Sequence, residues 1–153
     1  VLVMVLFKKM IEYLSLFFLG GSIYYSVEIL YRGYSHYSMF ILGGICLILI
    51  GIINEFFSWD MYLEIQILIG LSIVLLLEFV TGCIVNLWLG LNVWDYSNTP
   101  FNLLGQICLP FALLWIPLII AAILLDDFIR YKLFSEEKPR YKSFIYEKIK
   151  LFK

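Results

Sequence analysis

Long apolar runs separated by short polar stretches dominate the chain, at about residues 10–30, 39–59, 66–91 and 100–125. Each has roughly the 20 residues needed to cross a hydrocarbon core of about 30 Å. The pattern predicts an all-α polytopic membrane protein with four transmembrane helices. Small residues mark faces where helices can approach closely: Gly20, Gly21, Ser22 and Ser26 in the first run, Gly43, Gly44 and Gly51 in the second. The third run is about 26 residues, or about 39 Å as a helix, so it must tilt or protrude. Glu78 lies near its middle.

The polar interruptions are equally informative. YRGYSHYS follows the first run and contains Arg32 and the single histidine, His36. Asn54, Glu55 and Asp60 close the second. After the third comes VWDYSNTPFNLLGQ, residues 93–106, with Trp94, Asp95, Tyr96, Ser97, Asn98, Asn102 and Gln106. Thr99 before Pro100 resembles an N-cap and first helical residue. VWDYS then reads as the connection and NTPFNLLGQ as the start of the fourth helix, with Asn102 and Gln106 on one polar face and kinks expected at Pro110 and Pro117. Beyond Asp127, residues Tyr141, Phe144, Ile145, Ile149 and Phe152 recur at helical spacing among six basic residues from Lys138 onward. This predicts a C-terminal amphipathic helix that lies on an anionic leaflet or docks on a partner, with a partly disordered, solvated tail as the alternative. Residues 1–127 are expected to form the transmembrane domain and 128–153 a basic amphipathic cytoplasmic tail.

Composition agrees with the pattern: 63% of the 153 residues are hydrophobic, and the mean hydropathy is +0.94. The net charge of −1 conceals an asymmetry. Lys8 and Lys9 precede the first run, eight Lys or Arg residues follow the fourth, and only Arg32 lies between. Basic flanks mark the cytoplasmic side. Two basic ends therefore imply an even number of crossings with both termini in the cytoplasm, although the polar stretch after the second run, which should be cytoplasmic, has no basic residue. The chain starts at Val1, which we read as a processed end, an added remnant or an unusual start; the apolar run after Lys9 lacks a clear leader cleavage site. Cys46, Cys83 and Cys108 all fall in apolar runs without metal-like spacing, and read as buried small hydrophobes.

No nucleotide-binding G-x-x-x-x-G-K-[ST], no H-E-x-x-H and no G-x-S-x-G occurs. One histidine excludes a multi-histidine metal site within a single chain, and nothing calls for a cofactor or a nucleic acid. A carboxyl at mid-membrane depth is costly, so Glu78 is either a proton carrier or ligand acceptor, or a protonated acid bonded to another helix. Glu78, Gly82, Asn86 and Gly90 recur every four residues and should form a ridge facing protein. Asp95 between Trp94 and Tyr96 could gate an entrance; an aromatic belt with a capped turn explains it as well. Glu28, Arg32 and His36 are also four apart, and a surface ion pair is the plainer reading.

VEILYRGYSHYSMFILGGIC, LEFVTG and NVWDYSNTPFNLLGQICLPF together resemble a bacterial family, putative ABC-transporter type IV, also known as putative ABC transporter permease. The likeness covers about residues 20–115. By this resemblance the family's motif positions are Glu28, Arg32, Gly33, Glu78, Gly82, Trp94, Asp95, Tyr96, Ser97, Asn102, Gly105 and Cys108. It implies a multi-pass bacterial inner-membrane protein, the membrane component of a transport system with an ATPase subunit or further copies of itself as partners. The expected site is an intramembrane pocket for a small polar or amphiphilic substrate, drawn from Glu28, Arg32, His36, Glu78, Asn86, Trp94, Asp95, Tyr96, Asn102 and Gln106. The alternatives are a small intramembrane enzyme acting on a lipid or isoprenoid, with Glu78 or Asp95 as acid or base, and a membrane scaffold.

Overall fold

The computed structural model describes residues 2–151. It contains helices α1 (Leu2–Arg32), α2 (Tyr37–Phe56), α3 (Leu63–Gly82), α4 (Leu109–Leu133) and α5 (Phe144–Leu151). An antiparallel pair of two-residue strands, β1 (Asn102–Leu103) and β2 (Ile107–Cys108), directly precedes α4. Val1, Phe152 and Lys153 lie outside the described residues, and with them the last apolar position expected of the tail helix. Three helices are long and apolar enough to cross a membrane: Tyr37–Phe56, Leu63–Trp88, which includes a π-helical extension of α3, and Leu109–Leu133. The protein is therefore a multi-pass helical membrane protein. The first of the four expected spans, α1, is not among these three.

The helices alternate in direction. Lys9, near the start of α1, pairs with Glu55, near the end of α2, and Gly20 in the middle of α1 lies on Gly43 and Leu47 in the middle of α2. A Cβ added to Gly20 would stand 2.6 Å from the Gly43 carbonyl oxygen, so these backbones meet where the small residues predicted close approach. Gly33, with φ +81°, ends α1 in the left-handed region, and His36 accepts from the Ser38 amide at 3.3 Å to cap α2. α2 is the central helix. Its Met39, Leu42, Cys46 and Ile50 form the core with Val74 of α3 and Ile119 and Ile123 of α4.

Two boundaries differ from the sequence pattern. α4 starts at Leu109, not near residue 100, so Thr99 caps no helix and Pro110 sits harmlessly in the first turn, leaving only Pro117 in the interior. The cause is local: Phe101, Leu104 and Gly105 all have positive φ, and the Asn102 amide donates to the carbonyls of Ser97 and Thr99. An asparagine side chain that takes backbone groups in this way competes with the helix. At its other end α4 runs unbroken through Asp126 and Asp127 to Leu133.

The tail also differs. Residues 134–143 form a strap across the α2–α3 connection, where the Leu63 amide donates to the Lys142 carbonyl at 2.8 Å. Glu64 receives the Ser143 hydroxyl at 2.6 Å and the Phe144 amide at 3.1 Å, fixing the start of α5. Tyr141 belongs to this strap, so the helix begins three residues later than its spacing predicted. Residues 144–150 of α5 are exposed.

Candidate functional site

The polar residues of 93–106 are used first to build their own loop. α3 ends in the wider turn Cys83–Trp88, which brings Asn86 beneath the returning chain. Its amide oxygen accepts from the Val93 N–H at 2.7 Å and its NH₂ donates to Gln106 Oε1 at 2.9 Å. Gln106 donates to the Leu104 carbonyl at 2.8 Å, and the Trp94 indole N–H donates to the Gln106 carbonyl at 2.9 Å. Asp95 accepts from the Ser97 amide at 2.8 Å and its hydroxyl at 2.5 Å, bonds that hold this exposed carboxylate below its ordinary pKa. Gly105, at φ +70°, is packed so that a Cβ would lie 2.5 Å from Ser97 Oγ. Buried Asn86 and Gln106 are thus satisfied within the fold, while Asp95 and Asn102 are exposed.

What the loop closes is a cavity of about 460 Å³ among α1, α2, α3 and α4. Its wall is largely apolar and aromatic, with Glu28, Arg32 and Glu78 as its charged groups. Tyr24 stacks on Trp115 with ring centroids 5.4 Å apart, and Tyr96 on Phe111 at 4.6 Å. The Trp115 indole N–H donates to the Glu78 carboxyl at 3.0 Å. Arg32 pairs with Glu28 one turn earlier and donates to the Val93 carbonyl at 2.7 Å, tying α1 to the loop.

Of the ten residues expected to bind a ligand, the structure brings Glu28, Arg32, Glu78, Trp94 and Tyr96 to this cavity. Asn86, Asp95, Asn102 and Gln106 do not line it, and His36, beyond the left-handed Gly33, caps α2 instead of extending the Glu28–Arg32 face. The ridge of Glu78, Gly82 and Asn86 is buried as its spacing predicted, but Gly90 lies past the helix end and is exposed. Tyr24, Phe111 and Trp115 escaped the sequence reading because aromatics in apolar runs look like ordinary core or lipid-facing residues; only packing shows that they ring a carboxyl. Cys46 and Cys108 are buried, Cys83 is partly so, and all three are free.

The opposite end holds a second cluster that the sequence did not signal. Arg130 of α4 donates to Asp126 at 2.7 Å, pairs with Glu12 of α1, and stands 3.7 Å from Glu55 of α2. Lys9 pairs with Glu12 at 3.2 Å and also with Glu136 of the strap. Asp127 receives the Asn54 amide at 2.8 Å and the Tyr141 hydroxyl at 2.6 Å. Burial, then the Asp127 contact, raises the Tyr141 pKa above its ordinary value. Glu12, Asp126, Asp127 and Arg130 are all nearly inaccessible. Among the described residues no group of His, Cys, Asp and Glu is arranged to hold a metal ion.

The family model described as Putative ABC-transporter type IV matches residues 1–149. No curated protein matches the chain, and no solved structure does.

Proposed function

Because the chain belongs to the Putative ABC-transporter type IV family, we propose that it is the membrane component of a transport system and binds a small polar or amphiphilic substrate in the cavity between its four long helices. The carrying observation is the placement of Glu28, Arg32 and Glu78 in an otherwise apolar and aromatic cavity. Glu78 lies near mid-membrane, where an ionisable group is expensive and its usual justification is a pathway or a ligand.

In this reading α1 is the fourth span. It lies antiparallel along α2, from Lys9 against Glu55 to Gly20 against Gly43, so a bilayer crossed by α2 is crossed by α1 as well. Four crossings return the C-terminus to the side of the N-terminus, and the basic flanks support a cytoplasmic location for that side. The strap and the Lys9–Glu136 pair then belong to the cytoplasmic face, with the Lys- and Arg-bearing tail near the anionic leaflet.

These 153 residues carry no nucleotide-binding loop, so in this reading ATP-driven transport draws on an ATPase outside them, docked on that cytoplasmic face. Native mass spectrometry of the protein gently extracted from its own membranes tests this. The expected result is a stoichiometric complex with an ATPase. A chain found without any ATPase, alone or with further copies of itself, overturns the proposed assembly.

A further inference from the structure

With Glu78 ionised, the charges of the cavity do not balance: two carboxylates, Glu28 and Glu78, face one cation, Arg32. Arg32 is already committed: it pairs with Glu28, donates to the Val93 carbonyl at 2.7 Å, and lies over the Tyr34 ring at 4.8 Å. Glu78 is 2% exposed, and among the described residues no cation is paired with it; it accepts from the neutral Trp115 indole. A buried carboxylate without a counter-charge is costly, and the neighbouring side chains are of the kind that receive a cation. Tyr24 stacks on Trp115, which holds the Glu78 carboxyl, and Tyr96 with Phe111 forms a second stacked pair on the same cavity. Aromatic faces attract a desolvated cation, most strongly where water is excluded.

The mouth points to a ligand that is soluble in the bilayer. Val27 and Tyr31 of α1 and Leu114 and Leu118 of α4 all line the cavity and are 44%, 73%, 57% and 45% exposed. The opening therefore lies between α1 and α4, on a rim of apolar residues. A volume of about 460 Å³ is within the roughly 300–1,000 Å³ of pockets that take drug-sized ligands.

We infer that the cavity takes a lipophilic monocation, a quaternary or protonated amine or a comparable onium ion with an apolar body, whose charge pairs with Glu78 and rests on the Tyr24–Trp115 and Tyr96–Phe111 rings. An anion has less to gain: the Arg32 charge is already met by Glu28, and of its donors the Nε–H is left without a partner. This inference rests on the cavity being the ligand site, as proposed above.

The test compares tetraphenylphosphonium with tetraphenylborate, ions of nearly equal shape and opposite charge, together with uncharged tetraphenylmethane. Binding to the full chain in neutral-lipid nanodiscs is measured by equilibrium dialysis, with empty nanodiscs subtracted. Saturable binding of the cation at least tenfold tighter than the anion and the neutral compound is expected. Glu78→Gln should weaken the cation at least tenfold, and Leu118→Trp, which fills the mouth, should abolish its binding. The cation–anion contrast on the unaltered chain stands even where a variant does not fold. Equal or tighter binding of the anion or the neutral compound, still abolished by Leu118→Trp, overturns the cationic assignment and leaves the cavity as a ligand site. Cation binding unchanged by Glu78→Gln in a folded variant also overturns it. No saturable binding of any of the three overturns this inference and counts against the cavity as a site.

Discussion

The two ends of the helix bundle treat buried charge in opposite ways. At the end where the described N-terminal residues and the strap meet, Arg130 is surrounded by Asp126, Glu12 and Glu55, Lys9 links Glu12 to Glu136, and Asp127 is held by Asn54 and Tyr141. At the loop end, Glu78 meets an indole N–H and aromatic rings. The first arrangement shares two cations and the neutral donors of Asn54 and Tyr141 among five carboxyls, and so ties α1, α2, α4 and the strap together. The second has no cation beside Glu78, and the proposal that a ligand supplies one is what would make it a site and not a structural ion network. Burial of ionisable groups alone would not have separated them; partnership does.

The contrast can be broken or sharpened by substitution, each read as a shift in unfolding free energy of the purified protein in one detergent. Arg130→Met should have the largest effect, a loss of about 3–5 kcal/mol, because it strands buried Asp126 without a cation and leaves Glu12 and Glu55 to Lys9 alone. Asn86→Ala comes next at about 1–3 kcal/mol, since the buried Val93 N–H and the Gln106 amide both lose a partner; its effect should be accompanied by easier proteolysis of residues 89–105. Tyr141→Phe removes a single hydrogen bond to Asp127 and should cost about 1 kcal/mol. Glu78→Gln keeps the shape and an acceptor for Trp115, and should shift stability by less than about 1 kcal/mol. Should Glu78→Gln destabilise the protein as much as Arg130→Met, the two ends would not differ in kind and Glu78 would be a structural group.

Much of the architecture was legible in the chain. Apolar run lengths marked α2, α3 and α4, and the glycines of the first two runs marked a real contact, because no side chain larger than hydrogen fits where Gly20 meets the Gly43 carbonyl. The family was legible too, in the motif around WDYS and its continuation. The start of α4 was not. Thr99–Pro100 has the form of a helix start, but Asn102 captures two carbonyls and Gly105 turns the chain, and these bonds and turns within the loop override the helix-start signal. The polar residues of 93–106 were correctly seen as exceptional, yet Asn86 and Gln106 bond to each other and to the loop backbone, not to the cavity.

What the sequence determined by itself is the solvent and the repeat of the fold: apolar runs of bilayer length can hide their backbone polar groups only as helices. Only the tertiary structure decided which charges are satisfied. Glu12 and Arg130 are 118 positions apart, and Glu78 and Trp115 are 37, so no window along the chain contains either pair. Whether a buried carboxyl faces a guanidinium or an aromatic wall depends on how the helices pack, and that difference separates the end tied by ion pairs from the end proposed to bind a ligand.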